Sequence, residues 1–287
     1  MASFRQILVA TDYSTSSEQA VETAAALATR FGAELTVTNV IDDGGFPFPM
    51  PKGLREAARA RLDETVVGLR ARMLSASGVL REGIAWDEIC ASAADASADL
   101  LVIGSRGRLG LPRILLGSVA ERVIRLSPVP VMTVRSSSEV AILTGGMGRF
   151  RHILAPTDFS EASRQGVDFA VKLALELEAA LTLVYAYQPP NFAYFILDEV
   201  ASSAEAQIRG LLDEQLVRVR ARFPKAEGVV RQGDPSHGIL DAAKARGADL
   251  IVLSTHGRHG AQRVLLGSVA EKIARLSPVP VLTVVVK

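Results

Sequence analysis

Residues 117–134 read GSVAERVIRLSPVPVMTV, and residues 267–284 read GSVAEKIARLSPVPVLTV. The two phrases agree at 14 of 18 positions and stand 150 residues apart. Solenoid repeats have periods of roughly 20–50 residues, so a duplication this long is a whole domain written twice. In a chain of 287 residues each copy has the length of an ordinary domain and can bury its own core. The expected division is a first domain at 1–135, a linker at 136–148 and a second domain at 149–287. The linker assignment rests on SSSEVAILTGGMG, whose ends are dominated by serine and glycine.

Each copy opens on a short apolar run: Ile7-Leu8-Val9-Ala10 before Thr11-Asp12, and Ile153-Leu154-Ala155-Pro156 before Thr157-Asp158. Brief apolar runs bounded by turn residues read as buried strands. Helical spacing follows, with Ala20, Ala24, Leu27 and Ala28 in the first copy and Val167, Ala170, Val171 and Ala174 in the second. Further strands are expected at 35–41, 79–81, 99–103 and 131–134, and again at 181–187, 229–231, 249–253 and 281–286. Helices are expected between them, at 54–75, 86–96 and 119–126, and at 198–223, 235–245 and 269–276. A continuous apolar run such as Leu100-Leu101-Val102-Ile103 belongs in a parallel sheet covered on both faces. Ser-Pro-Val-Pro stops the last helix of each copy, because proline cannot continue it. Five strands alternating with helices predict the α/β class: two tandem, open, doubly wound five-stranded parallel-sheet domains of Rossmann-like architecture.

Composition excludes several classes of function. The net charge is +1 and Lys/Arg are spread through the helices, so no basic face is offered to nucleic acid. No apolar run reaches the length needed to span a bilayer, and Ser3, Arg5 and Gln6 interrupt the opening residues. The expectation is a cytoplasmic protein that engages no membrane. Cys90 is the sole cysteine, which rules out an internal disulfide. Flanked by Ile89 and Ala91, it reads as a small buried hydrophobe rather than a nucleophile. The arginine-rich stretch 55–72 reads as a solvated helix face. His152 and His237 have no evident partner in the sequence.

In open α/β sheets the ligand site lies beyond the carboxyl ends of the strands, where strand order reverses. Asp12 ends the first strand there, and Val40 lies at the end of the second. The loop Gly104-Ser105-Arg106-Gly107 leaves the fourth, and nine residues later Gly117-Ser118 opens the last helix. Glycines let the backbone approach an anion closely, and successive peptide N–H groups form an anion nest. The helix start adds unpaired donors and a partial positive charge. Ser118 offers a hydroxyl, and Arg106 and Arg108 offer charge. Asp12 is placed to accept from ribose hydroxyls, and backbone groups near Val40 to read an adenine edge.

This constellation resembles the universal stress protein family in its tandem two-domain form, over nearly the whole chain apart from the linker and the divergent loops. Nucleotide-binding members carry Gly, two residues, Gly, nine residues, Gly, then Ser or Thr; Gly104, Gly107, Gly117 and Ser118 match all four points. The resemblance implies an adenine-nucleotide α-hydrolase-like fold and ATP, with or without Mg2+, held without turnover as part of a stress response. It implies final strands that pair within the chain, and chains that assemble further as a homodimer. The ligand-binding residues it nominates in the first copy are Thr11, Asp12, Val40, Gly104, Arg106, Gly107, Arg108, Gly117 and Ser118. Those in the second are Thr157, Asp158, Ala186, Ser254, His256, Gly257, Arg258, Gly267 and Ser268. The second copy departs from the pattern: Ser254 stands where the first glycine should be, and Ala186 where Val40 does. The expectation is that the added Cβ of Ser254 interferes with backbone approach to a ligand, leaving the first site the better one.

Plainer readings stand beside these. Ser118-Val119-Ala120-Glu121 and Ser268-Val269-Ala270-Glu271 both fit a capping box, in which the serine does nothing but cap the helix. Asp12 serves equally as a turn or cap residue. His256 and His259 suggest metal only weakly without a third ligand. Neither a Walker A sequence nor a nucleophile elbow is present, so no catalytic residue is nominated. Two rivals to a nucleotide-responsive protein remain. One is a nucleotide-free interaction protein using the aromatic loop 191–195. The other is a slow nucleotide hydrolase or nucleotidyl-transfer enzyme dependent on Asp12.

Overall fold

The computed structural model describes residues 4–42, 51, 53–106, 116–135, 150–188, 198–255 and 266–285. The linker 136–148, the aromatic loop 191–195, and Gly107, Arg108, His256, Gly257, Arg258 and His259 lie outside the described residues.

Strands and helices alternate as expected. The first copy runs β1 (Gln6–Ala10), α1 (Thr15–Phe31), β2 (Glu34–Asp42), α2 (Leu54–Ala71), β3 (Ala76–Gly83), α3 (Ala85–Asp95), β4 (Leu100–Gly104), α4 (Ser118–Leu126) and β5 (Val131–Val134). The second runs β6 (His152–Pro156), α5 (Glu161–Leu177), β7 (Ala180–Tyr187), α6 (Asp198–Arg220), β8 (Glu227–Gln232), α7 (Pro235–Arg246), β9 (Leu250–Ser254), α8 (Ser268–Leu276) and β10 (Val281–Val284).

Two compact units result. One gathers the first copy together with Ala274–Val285; the other is Phe150–Ile273. In the first, the parallel order is β3-β2-β1-β4-β5. Strand β10 lies antiparallel on β5, with Leu282 opposite Met132. Thr283 Oγ1 donates to the Val131 carbonyl at 3.0 Å, so the pair is tied by side chains as well as by the ladder. In the second unit the parallel order is β9-β6-β7-β8.

The order explains the burial. Strands β1 and β4 are central in their sheet, and every residue of β4 is buried. That is why it carries no alternation of polar and apolar residues. Moving from β1 to β2 to β3 by right-handed crossovers puts α1 and α2 on one face. Returning across the sheet to β4 and β5 puts α3 and α4 on the other. Strand order therefore reverses beside β1, between β2 and β4, and the crevice at their carboxyl ends is the place a ligand is expected.

At the opposite edge a carboxylate repeats, half-buried at Asp99 and buried at Asp249. Asp99 Oδ2 accepts from the N–H of Arg5 at 2.7 Å, and Asp249 Oδ2 from that of Arg151 at 2.8 Å. Each locks the entry of its first strand to that of its fourth. Burial pushes the Asp249 carboxyl above its ordinary value, against the lowering effect of the N–H groups it accepts from. Both orphan histidines of the sequence acquire partners: His152 Nε2 lies 2.8 Å from Thr182 Oγ1, and His237 sits beside Asp234.

Candidate ligand cavity of the first repeat

The turn after β1 is built by short side chains that hydrogen-bond the backbone. Thr11 is buried, and its N–H continues the β1–β2 ladder by donating to the Thr38 carbonyl at 2.9 Å. Asp12 Oδ1 accepts from the Ser14 N–H at 3.0 Å and from the Ser14 hydroxyl at 2.6 Å. Ser14 in turn caps α1 by accepting from the Ser17 N–H. Between them Tyr13 takes a φ of 61°, and its counterpart Phe159 takes 65°. A bulky residue with left-handed backbone is uncommon, and the aspartate and serine hold it there. Asp158 repeats the arrangement, accepting from the Ser160 N–H at 3.0 Å and its hydroxyl at 2.5 Å. The turn reading of Asp12 is thus correct. It does not compete with a ligand role, because Asp12 also lines the cavity described next.

That cavity, of about 650 Å³, opens at the carboxyl ends of β1, β2 and β4. Its volume falls within the roughly 300–1,000 Å³ usual for small-molecule sites. Val40, Ile41, Leu54, Ala57, Ala58 and Ile89 supply apolar wall; Thr11, Asp12, Asn39, Arg61 and Arg106 supply polar groups. Gly104, Gly117 and Ser118 close it at the α4 end. Seven of the nine residues nominated in the first copy therefore come together: Thr11, Asp12, Val40, Gly104, Arg106, Gly117 and Ser118. A second cavity of about 230 Å³ shares Asp42, Ala85, Ser118 and Val119 with the first. It is bounded by Trp86, over whose ring the Arg122 guanidinium stands at 5.8 Å.

The start of α4 departs from the capping box. Gly117 is the N-cap, in extended conformation (φ −65°, ψ 142°), and no side chain caps the helix. Ser118 is the first helical residue, one position too late to act as cap. The Glu121 N–H makes the first helical bond, to the Gly117 carbonyl at 2.9 Å. Gly267 accepts from Glu271 at the same distance, so Ser268 is displaced from the cap position in the same way. The Gly117 N–H is taken by the Ser105 carbonyl at 2.9 Å, which hangs the helix start from the end of β4. The N–H groups of Ser118, Val119 and Ala120 are left without helical acceptors, and all three residues line the cavity. The positive end of the α4 dipole adds to them.

Sequence reasoning passed over Tyr13, Asn39 and Arg61. Arg61 belongs to the stretch assigned to solvent, yet its guanidinium stands 4.0 Å over the Tyr13 ring and lines the cavity. Arg70, in the same stretch, donates from Nε to the Ala76 carbonyl at 2.8 Å. Helical periodicity marks the apolar face of α2 but says nothing about which flanking arginine reaches over a neighbouring turn.

The explanation offered for Gly104 and Ser254 needs correction. Gly104 has no positive φ. A Cβ built on it would lie 2.8 Å from the Ser16 carbonyl carbon and from the Ser17 nitrogen. The glycine is there because the first turn of α1 presses on β4; the Ser16 hydroxyl donates to the Arg106 carbonyl across this contact. In the second copy the small residue has changed sides. Gly166, on α5, is the close-packed glycine, and a Cβ there would lie 3.0 Å from the Ser254 nitrogen. Helix α5 thus makes its close approach to the end of β9 through Gly166, against the Ser254 backbone. Ala186 is matched likewise: a Cβ on Gly238 of α7 would come 3.2 Å from the Ala186 Cβ.

What separates the copies is the wall of β7. Tyr185 stands where Asn39 does, stacked on Phe159 at 4.6 Å between ring centroids, with Tyr187 a further 6.0 Å along. Thr157, the counterpart of Thr11, donates from its hydroxyl to Gln215 Oε1 at 2.9 Å. Cys90 is half-buried, its thiol pushed up to about 11 by burial and then by the Asp87 carboxylate. It has no nucleophilic character at neutral pH.

Comparison with known proteins agrees with the architecture. The sequence profile of the Universal stress protein family matches residues 3–135 and again 149–285. A universal stress protein of Mycolicibacterium smegmatis is 29% identical over 300 residues, covering 97% of this chain and 96% of its own length. One of Bacillus subtilis is 30% identical over 150 residues, covering 47% of this chain and 99% of its own. Among solved structures, a universal stress protein of Archaeoglobus fulgidus superposes with a TM-score of 0.74 at 23% identity, over 98% of this chain and 96% of that one.

Proposed function

Because the chain belongs to the universal stress protein family, in its tandem two-domain form, we propose that its first repeat binds ATP or a closely related adenine nucleotide and responds to its occupancy. The observation that carries this reading is the uncapped start of α4, opening into a 650 Å³ cavity that Asp12 and Arg106 also line. Three backbone donors at a helix N-terminus suit a phosphate chain. The apolar wall of Val40, Ile41 and Ile89 suits a purine, and Asp12 suits a ribose. The donor set therefore fits the nucleotide, and the acids Asp12 and Asp42 on the same cavity leave room for a Mg2+ counter-ion.

In this reading the nucleotide is a ligand rather than a substrate. Asp12 Oδ1 is already engaged by the Ser14 N–H and hydroxyl, holding the turn, which suits a positioning group better than a general base. Occupancy would act by linkage, adding about 2.7 kcal/mol of stability at a ligand concentration a hundred times Kd. No helix among the described residues is long and apolar enough to cross a membrane, in keeping with a cytoplasmic setting.

The test is to purify the protein without added nucleotide, denature it, and identify what is released by chromatography and mass spectrometry. A melting curve with and without millimolar ATP accompanies it. Released adenine nucleotide, or a rise of several degrees with ATP, is expected; neither being seen would remove the proposal.

A further inference from the structure

We propose that Asn39 is the residue that reads the nucleoside in this cavity, through a single fixed hydrogen-bond acceptor, its side-chain Oδ1. The inference rests on the nucleotide reading above and adds to it a specificity determinant.

Asn39 lies near the carboxyl end of β2, is 5% exposed, and lines the 650 Å³ cavity. Its Nδ2 donates to the Thr11 carbonyl at 2.7 Å. A carbonyl only accepts, so the amide nitrogen must face Thr11, and the orientation of the group is set by chemistry. The Thr11 N–H already belongs to the β1–β2 ladder, and the asparagine takes the carbonyl on its other side. The amide plane is thereby pinned to the end of β1. What remains is Oδ1, which has no hydrogen-bond partner among the described residues. Lining the cavity with no side chain competing for it, this acceptor is available to a ligand that brings it an N–H or O–H.

The chemistry selects a class of ligand group. A lone acceptor takes a donor and repels another acceptor. On an adenine nucleotide the donors away from the phosphates are the 6-amino group of the base and the ribose hydroxyls. A 6-oxo purine presents an acceptor where adenine presents its amine. The second repeat cannot make this selection, because Tyr185 occupies the corresponding strand position and turns its ring onto Phe159. The two repeats, alike in backbone and in their helix starts, thus differ in the group that would recognise a nucleoside.

The test is calorimetric titration of the full chain with ATP, ITP, 2′-deoxy-ATP and 3′-deoxy-ATP, on the unsubstituted protein and on Asn39→Leu. Unsubstituted protein is expected to bind one analogue at least tenfold more weakly than ATP. ITP being the weak one identifies the base amine as the donor, and a deoxy analogue identifies the corresponding hydroxyl. In Asn39→Leu, ATP falls to the level of that analogue and the discrimination disappears. Equal binding of all four by the unsubstituted protein overturns the proposal even if the variant fails to fold, as does undiminished discrimination in Asn39→Leu. Failure of the unsubstituted protein to bind ATP at all overturns the nucleotide reading itself, and this inference with it.

Discussion

Gly104→Ser puts into the first repeat the residue that the second repeat already carries, and the two explanations for the glycine predict different outcomes. A Cβ at this position would sit 2.8 Å from the Ser16 carbonyl carbon and the Ser17 nitrogen, both backbone atoms. Neither can swing aside as a side chain would. Helix α1 must retreat by about half an ångström to restore ordinary van der Waals contact. Ala20, Ala24 and Leu27 of that helix are fully buried, so the retreat loosens the core along its length. Overpacking of this kind costs about 1–3 kcal/mol. In a domain of this size that lowers the melting temperature by roughly 2–4 °C per kcal/mol. The measurement is urea and thermal unfolding of nucleotide-free protein, so that ligand contacts play no part. Adding Ala20→Gly gives α1 the glycine that α5 carries at Gly166, where a Cβ would lie 3.0 Å from the Ser254 nitrogen. Ala20→Gly alone costs about 1 kcal/mol in helix propensity, but the pair is expected to be less destabilised than the sum of its members by at least about 0.5 kcal/mol. A Gly104→Ser protein as stable as the original, or a strictly additive cycle, would refute the packing explanation. The glycine would then have to be assigned to the ligand.

Three further outcomes follow from the same geometry. Ser14→Ala and Ser160→Ala each remove a helix cap together with a bond to the preceding aspartate, and each is expected to cost about 1 kcal/mol, read from the urea midpoint. Asp234 caps α7 by accepting from the His237 N–H, chiefly through which its carboxyl is held below the ordinary value, with Lys272 nearby. A folded-state value below the unfolded one stabilises above the unfolded carboxyl range, near pH 4, and the benefit is lost as pH falls through the folded value. Asp234→Asn, which keeps the cap bond, is therefore expected to be less stable than the original at pH 6 and to match it near pH 2; a gap that persists at pH 2 would contradict the assignment. Cys90, with its thiol pushed up to about 11, should resist iodoacetamide at pH 8, and its alkylation in the folded protein should accelerate only as pH approaches that value. Rapid labelling at pH 8 would show a thiol more exposed and more acidic than this environment allows.

How much of this was legible beforehand differs from element to element. The apolar runs of β1, β4, β6 and β9 announced themselves because a central parallel strand must be apolar on both faces. The third strands were seen only in part: 79–81 was expected, whereas β3 spans Ala76–Gly83. Edge position explains the difference, since one flank of β3 meets water and Ser77, Arg81 and Glu82 dilute the signal. The Gly-Ser helix starts were located correctly, but the capping-box reading of Ser118 failed. Only coordinates distinguish a serine at the cap from one a residue later, because the distinction lies in which carbonyl the Glu121 N–H reaches.

Sequence alone determined that a domain had been duplicated, that each copy alternates strand with helix, and that Asp12 and Gly117 would meet at the carboxyl ends of the strands. Those conclusions depend on local patterning and chain order, both properties of one dimension. The tertiary structure decided what pairs with what across the chain: β10 beside β5, Gly166 against the Ser254 backbone, Arg61 over Tyr13, and Asn39 pinned to the Thr11 carbonyl. Each joins residues far apart in the chain, and each depends on distances of a few tenths of an ångström between elements. A residue's identity announces its size and charge. Whether a missing Cβ serves a ligand or a neighbouring helix is settled only by what stands opposite.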